Sequence, residues 1–350
     1  MATKAEARAT GQALLAGFRA AGAAEVEAPV LLPAGTLLDL YGEDIRARAY
    51  VTQDPLQGEM MLRPDFTVPV VQMHMAGGAD PARYCYLGEV FRKQEHRGPR
   101  SAEYFQAGFE IFAREAPETA DAEVFALFAQ VLAPLDLTAT MGDIGILIDA
   151  VKGLDTLPAR KAALLRHIWR PRRFHALLSR FGAAGVPRAP SPVAAPWIGL
   201  RGEDEIAARL AALAEDAAAP PIAEAEVALL DDLFDLAGPA PEALARLGDL
   251  AEQMPAIAGA VDRLTRRMQA MAARGVDLDA IRFEASHGRT TLEYYDGFVF
   301  SFASRDPGLP PVASGGRYDA MTAMLGAGRS IPAVGGVIRP GVVFDLGGRP

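Results

Sequence analysis

The stretch FRKQEHRGPRSAEYFQAGFEIF, residues 91–112, contains two apolar strand-like runs on either side of a loop crowded with charge. A β-strand places alternate side chains on opposite faces. One face of the second run is polar around a glycine and carries Tyr104, Gln106, Gly108 and Glu110. The other face is apolar and carries Phe105, Ala107, Phe109 and Ile111. We expect the apolar face to pack on the core and the polar face to be available for binding.

The run before the loop has the same arrangement. Its corresponding face carries Tyr84, Tyr86, Gly88, Val90 and Arg92. If the two strands pair as a hairpin, these side chains and the polar face of the second strand line one floor. Glycine is unfavourable in a strand interior unless something approaches the backbone closely, which at Gly108 favours a ligand between Gln106 and Glu110. A solvated sheet face is an alternative of about equal weight.

The whole chain predicts an α+β fold, in which an antiparallel sheet is flanked by helices and interrupted by a helical insertion. Short apolar runs split by Pro, Gly and Asp fill residues 26–112, and similar runs return after residue 279. Between them, residues 145–275 contain alanine- and leucine-rich helical segments with Pro-rich breaks. We therefore predict three parts, residues 1–144, 145–278 and 279–350, of which the third completes the sheet that the first begins.

Composition limits the partners and the compartment. The 350 residues include 44 acidic and 35 basic side chains, and the resulting net charge of -9 argues against binding to nucleic acid. The basic cluster RHIWRPRRFH, residues 166–175, is interpreted as a solvated helix end or a contact for another protein. Because the sequence has neither a signal-peptide pattern nor a run of about 18 apolar residues, we expect a cytoplasmic protein without a membrane segment.

Four segments resemble those of a known family. The residues that match motif 2 of the class II aminoacyl-tRNA synthetases in order and spacing, most closely that of the histidyl enzymes, are Phe91, Arg92, Arg100, Glu103 and Gln106. MLRPDFT (residues 61–67) is similar to a second stretch of that family. LEYYDGFVF (residues 292–300) and GGRYDAM (residues 315–321) resemble its two histidine-specific segments. The resemblance implies a class II synthetase-like core formed by both β-rich parts.

The resemblance also implies a histidine-shaped pocket of seven residues. The side chains that it places around the ammonium group are those of Asp65, Thr67 and Gln106. Arg92 is implied to face a carboxylate or a phosphate. The side chains implied to hydrogen-bond the imidazole ring are those of Glu110, Tyr295 and Tyr318. Such charge-assisted bonds and buried hydroxyls select for histidine, because an analogue without the ring N–H leaves them unpaired.

Each of these residues also has a purely structural interpretation. Tyr295 and Tyr318 can be core aromatics with their hydroxyls at the edge, and Asp65 can be a turn residue after Pro64. Taken one at a time, these are the better interpretations. The ordered match of the whole set favours the pocket.

Other positions depart from the synthetase pattern. The family's arginine before the paired tyrosines corresponds to Thr290, with Arg289 one position too early. The arginine of motif 3 that stacks on adenine corresponds to Val342, and Pro340 and Gly341 stand where the family has a helix. Adenylation needs positive groups where negative charge develops. We therefore predict no catalytic residue, no metal site and no cofactor, and we expect no room after motif 3 for an anticodon-binding domain.

This combination resembles the family of regulatory subunits of ATP phosphoribosyltransferase. Membership implies a subunit without catalysis of its own that joins the short-form catalytic subunit in a hetero-octamer, with L-histidine as feedback effector. The reaction transfers a phosphoribosyl group from phosphoribosyl pyrophosphate to ATP in the first step of histidine biosynthesis. The resemblance further implies a homodimer through EVEAPVLLP, residues 25–33.

Two other hypotheses belong to different functional classes. A truncated histidyl-tRNA synthetase-like enzyme would form an aminoacyl adenylate and catalyse pyrophosphate exchange. An interaction protein with a vestigial pocket would bind no histidine, alone or in its complex.

Overall fold

The computed structural model describes residues 2–41, 45–94, 101–183, 199, 201–288 and 294–348. From the amino terminus, the strands in these residues are β1 (Ala24–Glu25), β2 (Leu31–Pro33), β3 (Val51–Asp54), β4 (Gly58–Leu62), β5 (Ala82–Phe91), β6 (Glu103–Phe112), β7 (Thr138–Asp143), β8 (Ala237–Pro239), β9 (Ile281–Glu284), β10 (Phe298–Ala303), β11 (Ala313–Arg317) and β12 (Ala333–Ile338).

Helices surround these strands. In the described residues they are α1 (Lys4–Ala20), α2 (Ala34–Tyr41), α3 (Ile45–Arg48), α4 (Thr67–Met75), α5 (Pro117–Leu132), α6 (Ile144–Gly153), α7 (Pro158–Arg166), α8 (Pro171–Phe181), α9 (Glu203–Ala218), α10 (Glu224–Phe234), α11 (Ala240–Gln253), α12 (Ala258–Ala273), α13 (Asp319–Leu325) and α14 (Pro340–Asp345), with a 3-10 turn at Pro255–Ile257. Within the described residues, no helix is both long enough and apolar enough to span a bilayer.

The main sheet has nine strands in the order β1-β5-β6-β12-β11-β10-β7-β9-β8, and β2, β4 and β3 form a separate antiparallel sheet. Neighbours in the main sheet are antiparallel except for the pairs β1–β5 and β7–β9. The predicted α+β class with a helix-flanked, largely antiparallel sheet is therefore confirmed, and the two parallel pairs are additions. Parallel strands need a long crossover, and the helical residues between β7 and β9 supply one.

The two β-rich parts of the sequence form one sheet. β12 lies between β6 and β11, and β10 lies between β11 and β7. The expectation that the late strands complete the early sheet is thus confirmed. The intervening segment contains α6 to α12, but it also contains β8, which pairs with β9. The sequence did not indicate β8, because its three residues are Ala-Gly-Pro.

Helix α1 packs on the sheet behind β6. It begins with a capping box, in which the Thr3 hydroxyl accepts from the Glu6 amide and the Glu6 carboxylate accepts from the Thr3 amide. The Phe18 ring lies 5.6 Å from Phe109 of β6 and 5.7 Å from Phe128 of α5, centroid to centroid. All four residues of the predicted apolar face of β6 are buried, which confirms that this face belongs to the core.

Buried charges join α12 to α5 and the sheet. The Arg267 guanidinium donates from Nε to Asp121 and from Nη1 to Asp143, at 2.8 Å in both cases. Arg317 donates from Nη2 to the other Asp121 oxygen at 2.6 Å. Burial opposes the charge of Arg267, but Asp121 and Asp143 outweigh burial and raise the pKa of Arg267. The helical segment is thus attached to the core by charge as well as by apolar packing.

We predict that Arg267→Met lowers the free energy of unfolding by about 3 to 5 kcal/mol, because it leaves the Asp143 carboxylate buried without its guanidinium. Urea denaturation followed by circular dichroism measures the change. Arg305→Gln is the control, since the ion pair of Arg305 with Asp136 spans 3.2 Å between side chains that are 79% and 77% exposed. Equally small effects of the two substitutions would contradict a structural role for the buried cluster.

Candidate functional site

The floor of the site is the antiparallel hairpin of β5 and β6. Its register places Gly88 opposite Gln106 and Tyr86 opposite Gly108. The hairpin pairing that the sequence suggested is therefore confirmed, and with it the common floor. The polar face of β6 lies opposite the face whose Phe109 packs on α1. On the polar face, the Glu110 carboxylate contacts Tyr318 and lies beside Gly335 of β12.

The strand glycines make room for side chains of the protein itself. A Cβ atom on Gly108 would lie 2.1 Å from Cζ of Tyr86, and one on Gly88 would lie 2.6 Å from a guanidinium nitrogen of Arg63. The interpretation of Gly108 as a point of ligand approach is therefore wrong. A glycine stands at position 108 because the Tyr86 ring crosses the strand there to reach Glu110.

All seven predicted site residues line one small cavity, whose volume is about 20 Å³. They arrive from five places in the fold and are Asp65, Thr67, Arg92, Gln106, Glu110, Tyr295 and Tyr318. The other lining residues, which the sequence analysis did not assign to the pocket, are Tyr294, Ser314, Gly335, Gly336, Val337 and Arg339. The cavity brings the set together, and its ligand remains a prediction.

Glu110 lies at the bottom of the cavity and is 1% exposed. Its carboxylate accepts hydrogen bonds from the hydroxyls of Tyr86 at 2.8 Å, Tyr318 at 2.6 Å and Thr67 at 3.4 Å. Burial raises the pKa of Glu110 to about 7, although the three hydroxyls act in the opposite direction. A Cβ atom on Gly335 of β12 would lie 1.5 Å from Oε2 of Glu110, so this strand position requires a glycine.

Gln106 is the least satisfied polar group in the cavity. Its side chain is 1% exposed, and neither its amide nitrogen nor its amide oxygen hydrogen-bonds to another described residue. A buried polar group without a partner costs about 1 to 3 kcal/mol. A group that can both donate and accept at this point would remove that cost.

Asp65 and Arg92 both contact backbone groups of residues 64–68, at the start of α4. A carboxylate oxygen of the buried Asp65 lies 3.5 Å from the Val68 amide at the start of α4, and Arg92 donates from Nε to the Pro64 carbonyl at 2.8 Å. Asp65 therefore fulfils the structural interpretation, as a residue of the turn into α4, and also lines the cavity. Residues 64–68 therefore position both the Asp65 carboxylate and the Arg92 guanidinium.

The tyrosines that line the cavity make two different kinds of contact. Tyr318 bonds directly to Glu110, whereas the Tyr295 hydroxyl accepts from that of Tyr294 at 3.5 Å. Burial raises the pKa of Tyr295 and Tyr318, so both phenols remain protonated near neutral pH. The alternation in the sequence placed Tyr86 on the hairpin floor but not among the seven pocket residues. Its position opposite Gly108 was the signal for its contact with Glu110.

Helix α14 occupies the place of motif 3. Pro340 is its first residue, a position where proline is tolerated, so the expectation that Pro340 weakens a helix interior here is wrong. Arg339 lies directly before α14, lines the cavity and donates to the Pro311 carbonyl. Arg100, Arg289 and Thr290 lie outside the described residues.

A second, larger hollow adjoins the cavity and shares Arg92 and Arg339 with it. Val342, which stands where the synthetase resemblance places the adenine-stacking arginine, lines this hollow. Phe105 also lines it, and the guanidinium of Arg8 lies 5.3 Å from the centre of that ring. The aromatic surface on this side is thus already in contact with a cation from α1.

Comparison with known sequences identifies relatives over nearly the full length. Residues 2–340 match the profile of the family described as histidyl-tRNA synthetase. A protein from Allorhizobium ampelinum named ATP phosphoribosyltransferase regulatory subunit is 35% identical, over 92% of this chain and 93% of its own. A protein of the same name from Mesorhizobium japonicum is 34% identical, over 91% and 92% of the two chains.

Comparison with solved structures shows the fold. A structure from Bacillus halodurans, described as an ATP phosphoribosyltransferase regulatory subunit/histidyl-tRNA synthetase, matches with a TM-score of 0.72 and 18% identity over 99% of this chain and 81% of that one. A histidyl-tRNA synthetase from Nostoc matches with a TM-score of 0.67 and 16% identity over 99% and 73%. With the sequence relatives, these matches show that the chain belongs to the ATP phosphoribosyltransferase regulatory subunit family and has the class II, histidyl-tRNA synthetase-like fold.

Proposed function

We propose that this chain is a non-catalytic regulatory subunit of ATP phosphoribosyltransferase and that its cavity senses L-histidine. The partner is the short-form catalytic subunit, which transfers a phosphoribosyl group from phosphoribosyl pyrophosphate to ATP in the first step of histidine biosynthesis. The observation that carries the sensor role is one buried site in which Gln106 lacks a described partner and Glu110 is ringed by hydroxyls. The names of the sequence relatives support the regulatory role.

Each polar group of histidine has a complementary side chain among the residues that line the cavity. Its ring N–H needs an acceptor, and an ionised carboxylate offers about four acceptor positions, of which Glu110 uses three for hydroxyls. Its ammonium group suits the carboxylate of Asp65 and the amide oxygen of Gln106. Its carboxylate suits Arg92, whose guanidinium is oriented by the Pro64 carbonyl.

Adenylation is the second function that a synthetase-like cavity could serve, and the neighbouring hollow argues against it. The position implied for the adenine-stacking arginine is Val342, which can neither stack as a cation nor stabilise developing negative charge. The truncated-synthetase hypothesis is therefore not favoured. Its distinguishing activity is pyrophosphate exchange that depends on both ATP and histidine.

Feedback control follows if histidine binds one state of the assembly more tightly than another. The coupling free energy between such sites is typically about 1 to 3 kcal/mol. We propose a hetero-octamer of regulatory and catalytic subunits in the cytoplasm. We further propose that residues 1–144 and 279–350 are the two parts of the synthetase-like core and that residues 145–278 are the helical insertion between them.

The experiment that tests this function is reconstitution with a short-form catalytic subunit. We expect phosphoribosyl-ATP formation to increase when this chain is added and to fall again as histidine is titrated. Failure to co-purify with the catalytic subunit, together with unchanged activity, would overturn the regulatory role. Pyrophosphate exchange by this chain alone would instead favour the adenylating enzyme.

We predict that Glu110→Gln raises the histidine concentration for half-inhibition of the reconstituted complex at least about tenfold. The neutral amide of glutamine offers one acceptor atom in place of two and turns a donor towards a phenol, so the ring N–H loses a charge-assisted bond. Phosphoribosyl-ATP formation over a histidine titration measures the effect.

The matched control is Glu123→Gln, since Glu123 pairs with Arg83 and does not line the cavity. We expect its inhibition curve to overlie that of the wild type. A Glu110→Gln curve that also overlies the wild type would exclude Glu110 from histidine sensing.

The raised pKa of Glu110 can be tested without any ligand. Its folded-state pKa of about 7 exceeds its ordinary value of 4.5, so the folded chain binds an extra proton between those two pH values. Stability from this group is therefore fully present below pH 4.5 and is lost as the pH rises to about 7.

We predict that the free energy of unfolding of the wild type, relative to Glu110→Gln, falls by about 2 to 3 kcal/mol between pH 5 and pH 8. The variant carries no titrating group at this position, so subtraction removes the contributions of all other groups. Chemical denaturation at both pH values measures the difference. A difference that is independent of pH would contradict a raised pKa for Glu110.

We also propose that the chain is a homodimer through residues 25–33. Val30 and Leu31 in this segment are each 43% exposed, and Tyr50 beside the same small sheet is 37% exposed. Exposed apolar residues in one patch favour an interface between protein chains.

We predict that Leu31→Arg converts the dimer to a monomer, because two guanidinium groups would meet near the two-fold axis of a symmetric contact. Light scattering measures the mass. A monomeric wild type would remove the dimer proposal, and a dimeric variant would place the interface elsewhere.

A further inference from the structure

A set of buried bonds surrounds the residue before Tyr318. Arg317 is the last residue of β11, and its guanidinium donates to Asp319 at 3.0 Å, to Asp121 at 2.6 Å and to the Pro117 carbonyl at 2.8 Å. Its side chain is therefore fastened to α13 on one side and to α5 on the other. Tyr318 follows immediately and reaches Glu110 at 2.6 Å.

Asp296 connects the backbone next to Tyr295 with the backbone on either side of Tyr318. Its carboxylate accepts from the amides of Asp319 at 3.1 Å and Ala320 at 2.5 Å, and its own amide donates to the Arg317 carbonyl at 3.0 Å. Asp296 directly follows Tyr295. The backbones that carry both pocket tyrosines are thus fixed to each other and to Arg317.

The same bonds extend away from the cavity to helix α12. Asp121 accepts from Arg317 on one carboxylate oxygen and from Arg267 of α12 on the other. Asp121 is fully buried, and both arginines are buried as well. Charge-assisted bonds between buried groups are short and directional, so a displacement at one end changes the geometry at the other.

We propose that Arg317 is a positioning residue for the histidine pocket, holding Tyr318 against Glu110, and that Arg267 of helix α12 acts on the pocket through Asp121 and Arg317. Arg317 is not among the residues that line the cavity, so its action passes through Tyr318. The identity of the ligand rests on the proposed function, whereas the contact between Tyr318 and Glu110 does not depend on it.

Arg317→Lys is the direct test, because lysine keeps the charge but cannot span Asp121, Asp319 and the Pro117 carbonyl with one rigid fork. We expect the dissociation constant for histidine to rise about tenfold in calorimetry, at a temperature where the variant is folded. An affinity of the folded variant within about twofold of the wild type would overturn the proposal and leave Arg317 a purely structural residue.

A double-mutant cycle separates positioning from general destabilisation. If Arg317 acts by placing the Tyr318 hydroxyl, Arg317→Lys has little further effect in a Tyr318→Phe background. Additive effects on histidine affinity would contradict this mechanism. Arg267→Lys, one step further along the same bonds, is expected to weaken binding by a smaller factor and to show the same non-additivity.

A measurement without ligand keeps this inference separate from the proposed function. The Tyr318 hydrogen bond lowers the pKa of Glu110, so withdrawal of the hydroxyl in Arg317→Lys should raise it further. Carbon NMR of labelled glutamate side chains follows this titration. If the wild type binds no histidine, the proposed function fails, while an unchanged titration of Glu110 in the variant is what would overturn the positioning role.

Two further variants complete the test. If Arg317→Lys does not fold, Asp296→Asn replaces it, because asparagine keeps the shape and one acceptor for the Asp319 or Ala320 amide. The same direction of change is expected for both readouts with a smaller size, and no change in either would overturn the proposal. Arg305→Gln, at the exposed pair with Asp136, is the control and should alter neither readout.

Discussion

The carboxylate of Glu110 is buried beneath three hydroxyl groups, and much of the surrounding geometry follows from that contact. Burying a carboxylate is costly unless hydrogen bonds compensate, and Tyr86, Tyr318 and Thr67 provide them. Gly335 leaves the space that Oε2 occupies, and Gly108 leaves the space through which the Tyr86 ring passes. An apolar residue would fill this position with less difficulty, so the arrangement indicates a requirement other than stability.

We propose that this requirement is the recognition of a ligand without chemistry. The cavity contains acceptors, a guanidinium and an amide that has no partner among the described residues, and the proposed ligand would use them for its three polar groups. The adjoining hollow has Val342 in the place implied for a nucleotide-stacking arginine. Binding energy that is not used to stabilise a transition state leaves a ligand bound and unchanged. A site of this kind suits an effector, and the buried ion cluster between α12 and Tyr318 gives it a physical connection to the rest of the subunit.

Local pattern was sufficient to predict much of this arrangement. Alternation along β5 and β6 predicted the hairpin floor and its apolar underside, and the ordered motif resemblance selected seven residues that line one cavity. Alternation placed Tyr86 on the hairpin floor, but its bond to Glu110 was not predicted because the two residues are 24 positions apart. Only the strand register shows that the Tyr86 ring passes Gly108. For the same reason, the sequence did not show that Gly108 makes room for the Tyr86 ring rather than for a ligand. The parallel pairs β1–β5 and β7–β9 depend on tertiary packing that no local window contains. Pro340 was misjudged because the start of α14 decides whether proline lies in the interior or at the first position.

The most direct test is calorimetric titration of the chain alone, at neutral pH and without ATP, with L-histidine and in parallel with L-alanine. We expect one saturable site per chain for histidine and no measurable binding of alanine, because alanine has no ring to contact Glu110. Absence of histidine binding, or equal binding of both amino acids, would contradict the claim that this cavity is a histidine sensor.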